Sequence, residues 1–143
     1  MTNLNVNNPF TSDKLSTLNI TAKKEALNLV VEAHKLHVEN PQGLPKDTRI
    51  NILENLHVLL LKNKSELIEL SVLEGGKPIL DTKVEMERAL EGVKIAIQSI
   101  RNIKGEMVPM NLNSASKNKL AFTQKNPIGV VFSISAFNHP INL

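Results

Sequence analysis

Between Pro127 and Ser135 the chain reads Ile128-Gly129-Val130-Val131-Phe132-Ser133-Ile134, a β-branched apolar run interrupted by nothing larger than a serine. A strand with one wet face alternates apolar and polar residues, and this one does not. A run of this kind expects cover on both faces, as in the parallel sheet of an α/β fold. Asn126-Pro127 breaks the chain just before it and Asn138-His139-Pro140 just after it, so the run has the length of a strand rather than a helix. A chain of 143 residues, 41% of them hydrophobic, has enough apolar side chain to build a core around such a strand.

The residues before it are mostly helical in pattern. Leu4 to Ile20 reads as two short strands joined by a turn around Asn8-Pro9 and Thr11-Ser12-Asp13. Thr21 offers a helix N-cap. Behind it Ala22, Ala26, Leu29, Val30, Ala33 and Leu36 recur at three and four residues, one face of a helix that ends near Asn40-Pro41. Pro45 suits the first turn of a second helix carrying Leu53, Leu56, Leu59 and Leu60. Asn63 and Glu66 are spaced as a capping-box variant for a third helix, which runs to Glu74 and stops at Gly75-Gly76.

Pro78 opens a long helix that reaches about Ile103. Met86, Leu90, Val93, Ile97 and Ile100 form one stripe on it, with Val84 and Ile95 nearly opposite. Arg88 falls between these two apolar sides, so the pattern does not place it on an open solvated face. Ala89, Gly92 and Ala96 make a strip of small residues that another element can approach closely. After Gly105 the chain is polar and loop-like from Asn111 to Lys119, and Leu120 to Lys125 reads as a strand.

Composition narrows the function classes. With four Phe and no Trp or Tyr, the chain has little on which nucleic-acid bases can stack. The net charge of +3 comes from interspersed lysines, arginines and acids rather than a basic block, which argues against a nucleic-acid partner. Cysteine is absent, excluding disulfides and thiolate nucleophiles within these residues. No run has the length of a membrane span and MTNLNVNNPF is not a signal sequence, so no membrane partner and a cytoplasmic location are expected. His34, His37, His57 and His139 have no companions at ligand spacing, and no metal site is expected.

The segment Asn126-Pro-Ile-Gly-Val-Val-Phe-Ser-Ile-Ser-Ala-Phe-Asn-His-Pro-Ile-Asn-Leu143 resembles the part of the aldehyde dehydrogenase superfamily where a Pro-x-Gly-Val strand leads into a Phe/Trp-Asn-x-Pro turn. Asn8-Pro9-Phe10, Leu44-Pro45 with Arg49, and Glu74-Gly75-Gly76-Lys77-Pro78 before a long helix agree in order and spacing. The resemblance covers essentially the whole chain. It implies an N-terminal fragment of that α/β fold: a hairpin and helical part of the cofactor domain over 1–118, a strand of the oligomerisation sheet over 119–127, and the first Rossmann-type strand over 128–143. The catalytic cysteine and general-base glutamate of the family would follow later, and the full-length protein would be a homodimer or homotetramer oxidising a small-molecule aldehyde with NAD or NADP.

The same resemblance implies roles for particular residues. Asn138 would donate its amide N–H to the oxyanion that forms when a thiolate attacks the aldehyde, a charge that a neutral donor stabilises as it develops. Without the family, Asn138 reads as a residue that holds a turn by bonding local backbone. Ile134, Ser135, Ala136 and Phe137, at the carboxyl end of the apolar run, would border the cofactor largely through backbone atoms; by themselves Ile134 and Phe137 read as core. The Phe-Asn-His-Pro form resembles dehydrogenases of phosphonate-bearing aldehydes such as phosphonoacetaldehyde, in which an arginine on the long helix also faces the substrate. Arg88 and His139 would then bind an anionic substrate group, Arg with a planar fork and His with a proton donor near neutral pH. Arg88 could equally pair with Glu85 or Glu91 on its own helix. A basic helical interaction module without catalytic activity remains the alternative to the enzyme.

Overall fold

The computed structural model describes residues 2–142. Strand β1 (Thr2–Asn7) pairs antiparallel with β2 (Lys14–Ile20), Leu4 opposite Leu18, with an irregularity at Val6/Asn7. The connection is tied by its own polar groups. The Asn8 Oδ1 accepts from the N–H groups of Phe10 at 2.9 Å and Thr11 at 3.2 Å, and the Ser12 N–H returns to the Asn8 carbonyl at 2.9 Å. This is the local side-chain-to-backbone bonding that makes asparagine a turn former.

Four helices follow: α1 (Lys23–Glu39), α2 (Lys46–Lys62), α3 (Lys64–Gly75) and α4 (Ile79–Asn102). Helix α1 begins one residue beyond the expected cap, with Ala22 at the N-cap position and no side-chain bond there. It buries none of its residues, so the apolar face read from its sequence is uncovered among the described residues. Asn63 corrects the capping-box expectation. Its Nδ2 donates back to the Leu59 carbonyl at 2.8 Å and it makes no cap bond to α3. The side chain closes the end of α2 because the near-helical backbone at Asn63 (φ −100°, ψ 13°) keeps that carbonyl within reach.

Helix α4 is the organising element, packing against both α2 and α3. Ile68 from α3 and Met86 and Leu90 from α4 form the core cluster, joined by Leu60, Leu67 and, from the far end of the chain, Ile141. Ile97 and Ile100 continue the buried stripe. Val84 and Ile95, on the opposite side, are exposed. Arg88 is exposed too, which corrects the expectation that it avoids an open face: the second apolar side of α4 has no described element against it.

The link from α3 to α4 is tight. Gly76 caps α3 in the left-handed conformation at φ 61°, and a Cβ there would meet the Pro9 Cγ at 2.8 Å and the Phe10 Cε2 at 3.0 Å. The hairpin tip Asn8-Pro9-Phe10 is therefore seated on the Gly-Gly-Lys-Pro turn, two motifs far apart in sequence. Gly76→Ala is expected to destabilise the protein by roughly 1–3 kcal/mol, since it adds a strained left-handed residue and a clash. Denaturant unfolding of the variant checks this.

Beyond α4, β3 (Met107–Val108) pairs antiparallel with β4 (Ala121–Phe122). The expected strand over Leu120 to Lys125 is thus two residues long, and β3 had no signal in the sequence. The apolar run Ile128–Ile134 differs more. It lies outside any strand ladder, and Ile128 is 92% exposed. A strand's hydrogen bonds come from neighbouring strands, and none flanks this run among the described residues. Leu143, the end of the 128–143 stretch, lies outside the described residues.

Candidate functional site

The turn bearing Asn138 and His139 is fastened to α4 by a buried carboxylate. Thr82, Glu85, Met86 and Ala89 lie at the three- and four-residue spacing of one helix face, and Glu85 is only 1% exposed. Its Oε1 accepts the N–H of Ile141 at 2.8 Å and of Asn142 at 3.2 Å, while its Oε2 accepts from the Lys77 Nζ. Lys77 in turn reaches the Asn138 carbonyl at 3.2 Å and the His139 Nδ1 at 3.1 Å. All three ammonium donors of Lys77 are thereby used, and each Glu85 oxygen has a partner. A charge pair can be buried when it is satisfied in this way.

Lysine is held in place by the chain around it. It follows the left-handed Gly76 and precedes Pro78, the N-cap position of α4. Because an ammonium donates and cannot accept, the His139 Nδ1 is the acceptor, and the ring hydrogen sits on Nε2. His139 Nδ1 is also 3.7 Å from the Glu85 Oε2. With Nδ1 as acceptor the imidazole is ordered by Lys77, and its Nε2 makes no hydrogen bond to a described residue.

Burial alone would push the Glu85 carboxyl up. The hydrogen bond from Lys77, the backbone N–H groups of Ile141 and Asn142 and the charge of Lys77 outweigh it, holding the carboxyl below its ordinary value of 4.5. A carboxyl lowered on folding adds stability that is fully present above its unfolded value and is lost as pH falls through its folded one. Acidification below about 4.5 should therefore loosen the Asn138–Asn142 turn. Glu85→Gln should remove this part of the acid dependence, measured as unfolding free energy against pH; identical slopes in both proteins would contradict it.

Asn138 itself is exposed, and its side-chain amide makes no hydrogen bond among the described residues. Its backbone carbonyl, not its side chain, ties it down. Asn8, which bonds two local N–H groups, is the contrasting case of an asparagine used to hold a turn. Of the other expected site residues, Ile134 and Phe137 are exposed, Phe137 at 94%, rather than core, and Ala136 is half-buried.

Arg88 stands one turn along α4 from Glu85. Neither of its alternative partners holds it: Glu85 is bound by Lys77, and Glu91 pairs with Lys94 at 3.6 Å. Among the described residues the Arg88 side chain has no ion pair or hydrogen bond. The structure thus brings His139 to Lys77 and Glu85, with Asn138 held beside them, and leaves Arg88 open on the same helix. Lys77 and Glu85 escaped the sequence reading as site residues. The available signal was an acid at a position flanked by Thr82, Met86 and Ala89, all of which are buried.

The whole chain, residues 1–143, matches the aldehyde dehydrogenase family, and the protein belongs to that family. It is 31% identical over 140 residues to a lactaldehyde dehydrogenase of Methanocaldococcus jannaschii, and 34% identical over the same length to a 3-sulfolactaldehyde dehydrogenase of Priestia megaterium. The chain is covered to 98% in both cases but spans only 29% of each relative's length. Among solved structures, the glyceraldehyde-3-phosphate dehydrogenase GapN of M. jannaschii, complexed with NADP, superposes with a TM-score of 0.86 at 30% identity, over 97% of this chain and 29% of that one. Betaine aldehyde dehydrogenase of Staphylococcus aureus shares the fold with a TM-score of 0.86 at 18% identity, over 97% of this chain and 27% of that one.

Proposed function

We propose that this chain forms the oxyanion-binding side of an NAD(P)-dependent aldehyde dehydrogenase that converts an aldehyde carrying a negative group to its carboxylic acid. The observation that carries this reading is the state of Asn138: its backbone is fixed while its amide is open. A fixed, unengaged N–H donor costs no reorganisation when charge appears on the aldehyde oxygen, which is the requirement for stabilising a tetrahedral intermediate. The nucleophilic thiolate comes from outside these residues, which contain no cysteine.

Ile134, Ser135, Ala136 and Phe137 are assigned to the cofactor. The stretch lies outside any ladder, and exposed Ile134 and Phe137 offer apolar surface on which a flat ring can rest, so the residues fit NAD or NADP. When bound, NAD or NADP would supply the hydride acceptor that the oxidation of an aldehyde needs. Arg88 and His139 are assigned to the anionic group of the substrate. Their open guanidinium and Nε2–H support this, as do the phosphate and sulfonate in the names of relatives acting on glyceraldehyde 3-phosphate and 3-sulfolactaldehyde. His139 serves here as a donor ordered by Lys77. A phosphonate is a third anion of the same kind. Assembly as a homodimer or homotetramer through the 119–127 strand, the Rossmann role of 128–143 and a cytoplasmic setting belong to the same reading.

Assay of the full-length protein decides it. Reduction of NAD or NADP should be driven by 3-sulfolactaldehyde, glyceraldehyde 3-phosphate or phosphonoacetaldehyde well ahead of acetaldehyde. No turnover with any aldehyde would refute the enzyme; preference for neutral aldehydes would refute the anionic substrate alone.

A further inference from the structure

Resting on the oxyanion reading of Asn138, we infer that Lys77 and Glu85 are positioning residues that hold the Asn138–Asn142 turn in its working geometry. Glu85 fixes the downstream side through the N–H groups of Ile141 and Asn142, at 2.8 and 3.2 Å. Lys77 fixes the upstream side through the Asn138 carbonyl at 3.2 Å and sets the His139 ring through Nδ1 at 3.1 Å. The turn has little of its own to hold it: its one backbone bond between described residues is the Asn142 N–H to the His139 carbonyl, at 3.2 Å.

Simple stabilisation is a poor reason for this cluster. A buried ion pair gives little net stability compared with well-packed apolar residues of similar size. Ile141 already attaches the turn to the Ile68–Met86–Leu90 core by packing. Packing, however, is non-directional, and it leaves the turn free to rotate about that anchor. Directed bonds from both sides remove that freedom. To be effective a donor must sit about 2.7–3.1 Å from the position the oxyanion will occupy, so residues that never touch the substrate can govern the rate through Asn138. The residue before Lys77 is itself packed, since Gly76 lies against Pro9 and Phe10.

The test uses the full-length protein with Glu85→Gln, Asn138→Ala and the double variant, read by steady-state kinetics and by amide hydrogen exchange at Ile141 and Asn142. Glu85→Gln should lower kcat by about tenfold or more, with a much smaller change in KM, because only transition-state contact is lost. In the Asn138→Ala background the same change should cost less than about threefold, since the residue it positions is already gone. Exchange at both amides should quicken in Glu85→Gln while that of the α2 and α4 amides stays slow. Multiplicative kinetic costs would overturn the positioning role, as would unaltered exchange at Ile141 and Asn142. Full turnover in Asn138→Ala alone would instead sink the oxyanion reading, with the exchange data still deciding whether the clamp exists. If Glu85→Gln does not fold, Lys77→Met carries the same readouts, and rapid exchange at Ile141 in the unmodified protein would by itself refute the clamp.

Discussion

Asn138→Ala in the full-length protein should reduce turnover by on the order of a hundredfold or more, with cofactor affinity little changed. The size follows from what one donor does at a developing oxyanion, where the hydrogen bond is made fully only in the transition state. The small effect on the cofactor follows from position, since the proposed NAD(P) contacts lie on Ile134–Phe137 and are largely to backbone. Stability should also be nearly unaffected, because the amide supports no other group among the described residues and its backbone anchor to Lys77 survives in alanine. These expectations separate the two readings of the residue. An asparagine that held the turn, as Asn8 holds the hairpin, would lose stability on truncation. Equilibrium unfolding beside single-turnover kinetics makes the distinction, and turnover within a few-fold of wild type would return Asn138 to the role of a turn residue.

How much of this could be read from the sequence depended on the range of the forces involved. Helices make their hydrogen bonds internally, so α2, α3 and α4 could be placed from apolar spacing and from Pro45, Gly76 and Pro78. Gly76 was legible as a helix stop because its left-handed backbone is a local property. The Asn63 side chain was not, since one asparagine can serve the helix before it or the helix after it, and only the backbone angles decide. Strands depend on partners, and Ile128–Ile134 reads as a central strand while standing outside any ladder here.

The site divides along the same line. Asn138 and His139 stand out because their motif is contiguous. The clamp ties Lys77 and Glu85 to the 138–142 turn by bonds that span 56 to 62 residues of chain, and no local pattern announces it. Arg88 shows the limit of periodicity from the other side. Apolar spacing on two sides of α4 implies that both are covered, whereas Val84 and Ile95 are exposed and Arg88 between the two sides is exposed with them.

That open guanidinium leads to the second large effect, on the choice of substrate. Arg88→Ala should raise KM for an anionic aldehyde by roughly ten- to a hundredfold, the equivalent of about 1.5–3 kcal/mol for a charge-assisted hydrogen bond. Neutral short aldehydes should be oxidised about as well as before, because the lost bond exists only when the substrate carries a phosphate, sulfonate, phosphonate or carboxylate. His139→Phe should act in the same direction by removing the Nε2–H donor. It has a second consequence that Arg88→Ala lacks: Lys77 loses its His139 acceptor, so the clamp on the Asn138 turn is weakened and kcat should fall modestly for neutral and anionic substrates alike. A pure rise in KM for Arg88→Ala, with mixed changes in KM and kcat for His139→Phe, is therefore the expected pattern. The Arg88 side chain makes no hydrogen bond or ion pair with a described residue, so its removal breaks no polar tie by which every substrate would suffer equally. If neutral and anionic aldehydes suffered alike in Arg88→Ala, the arginine would be supporting the fold through contacts beyond the described residues, and the anionic-substrate reading would fail with it.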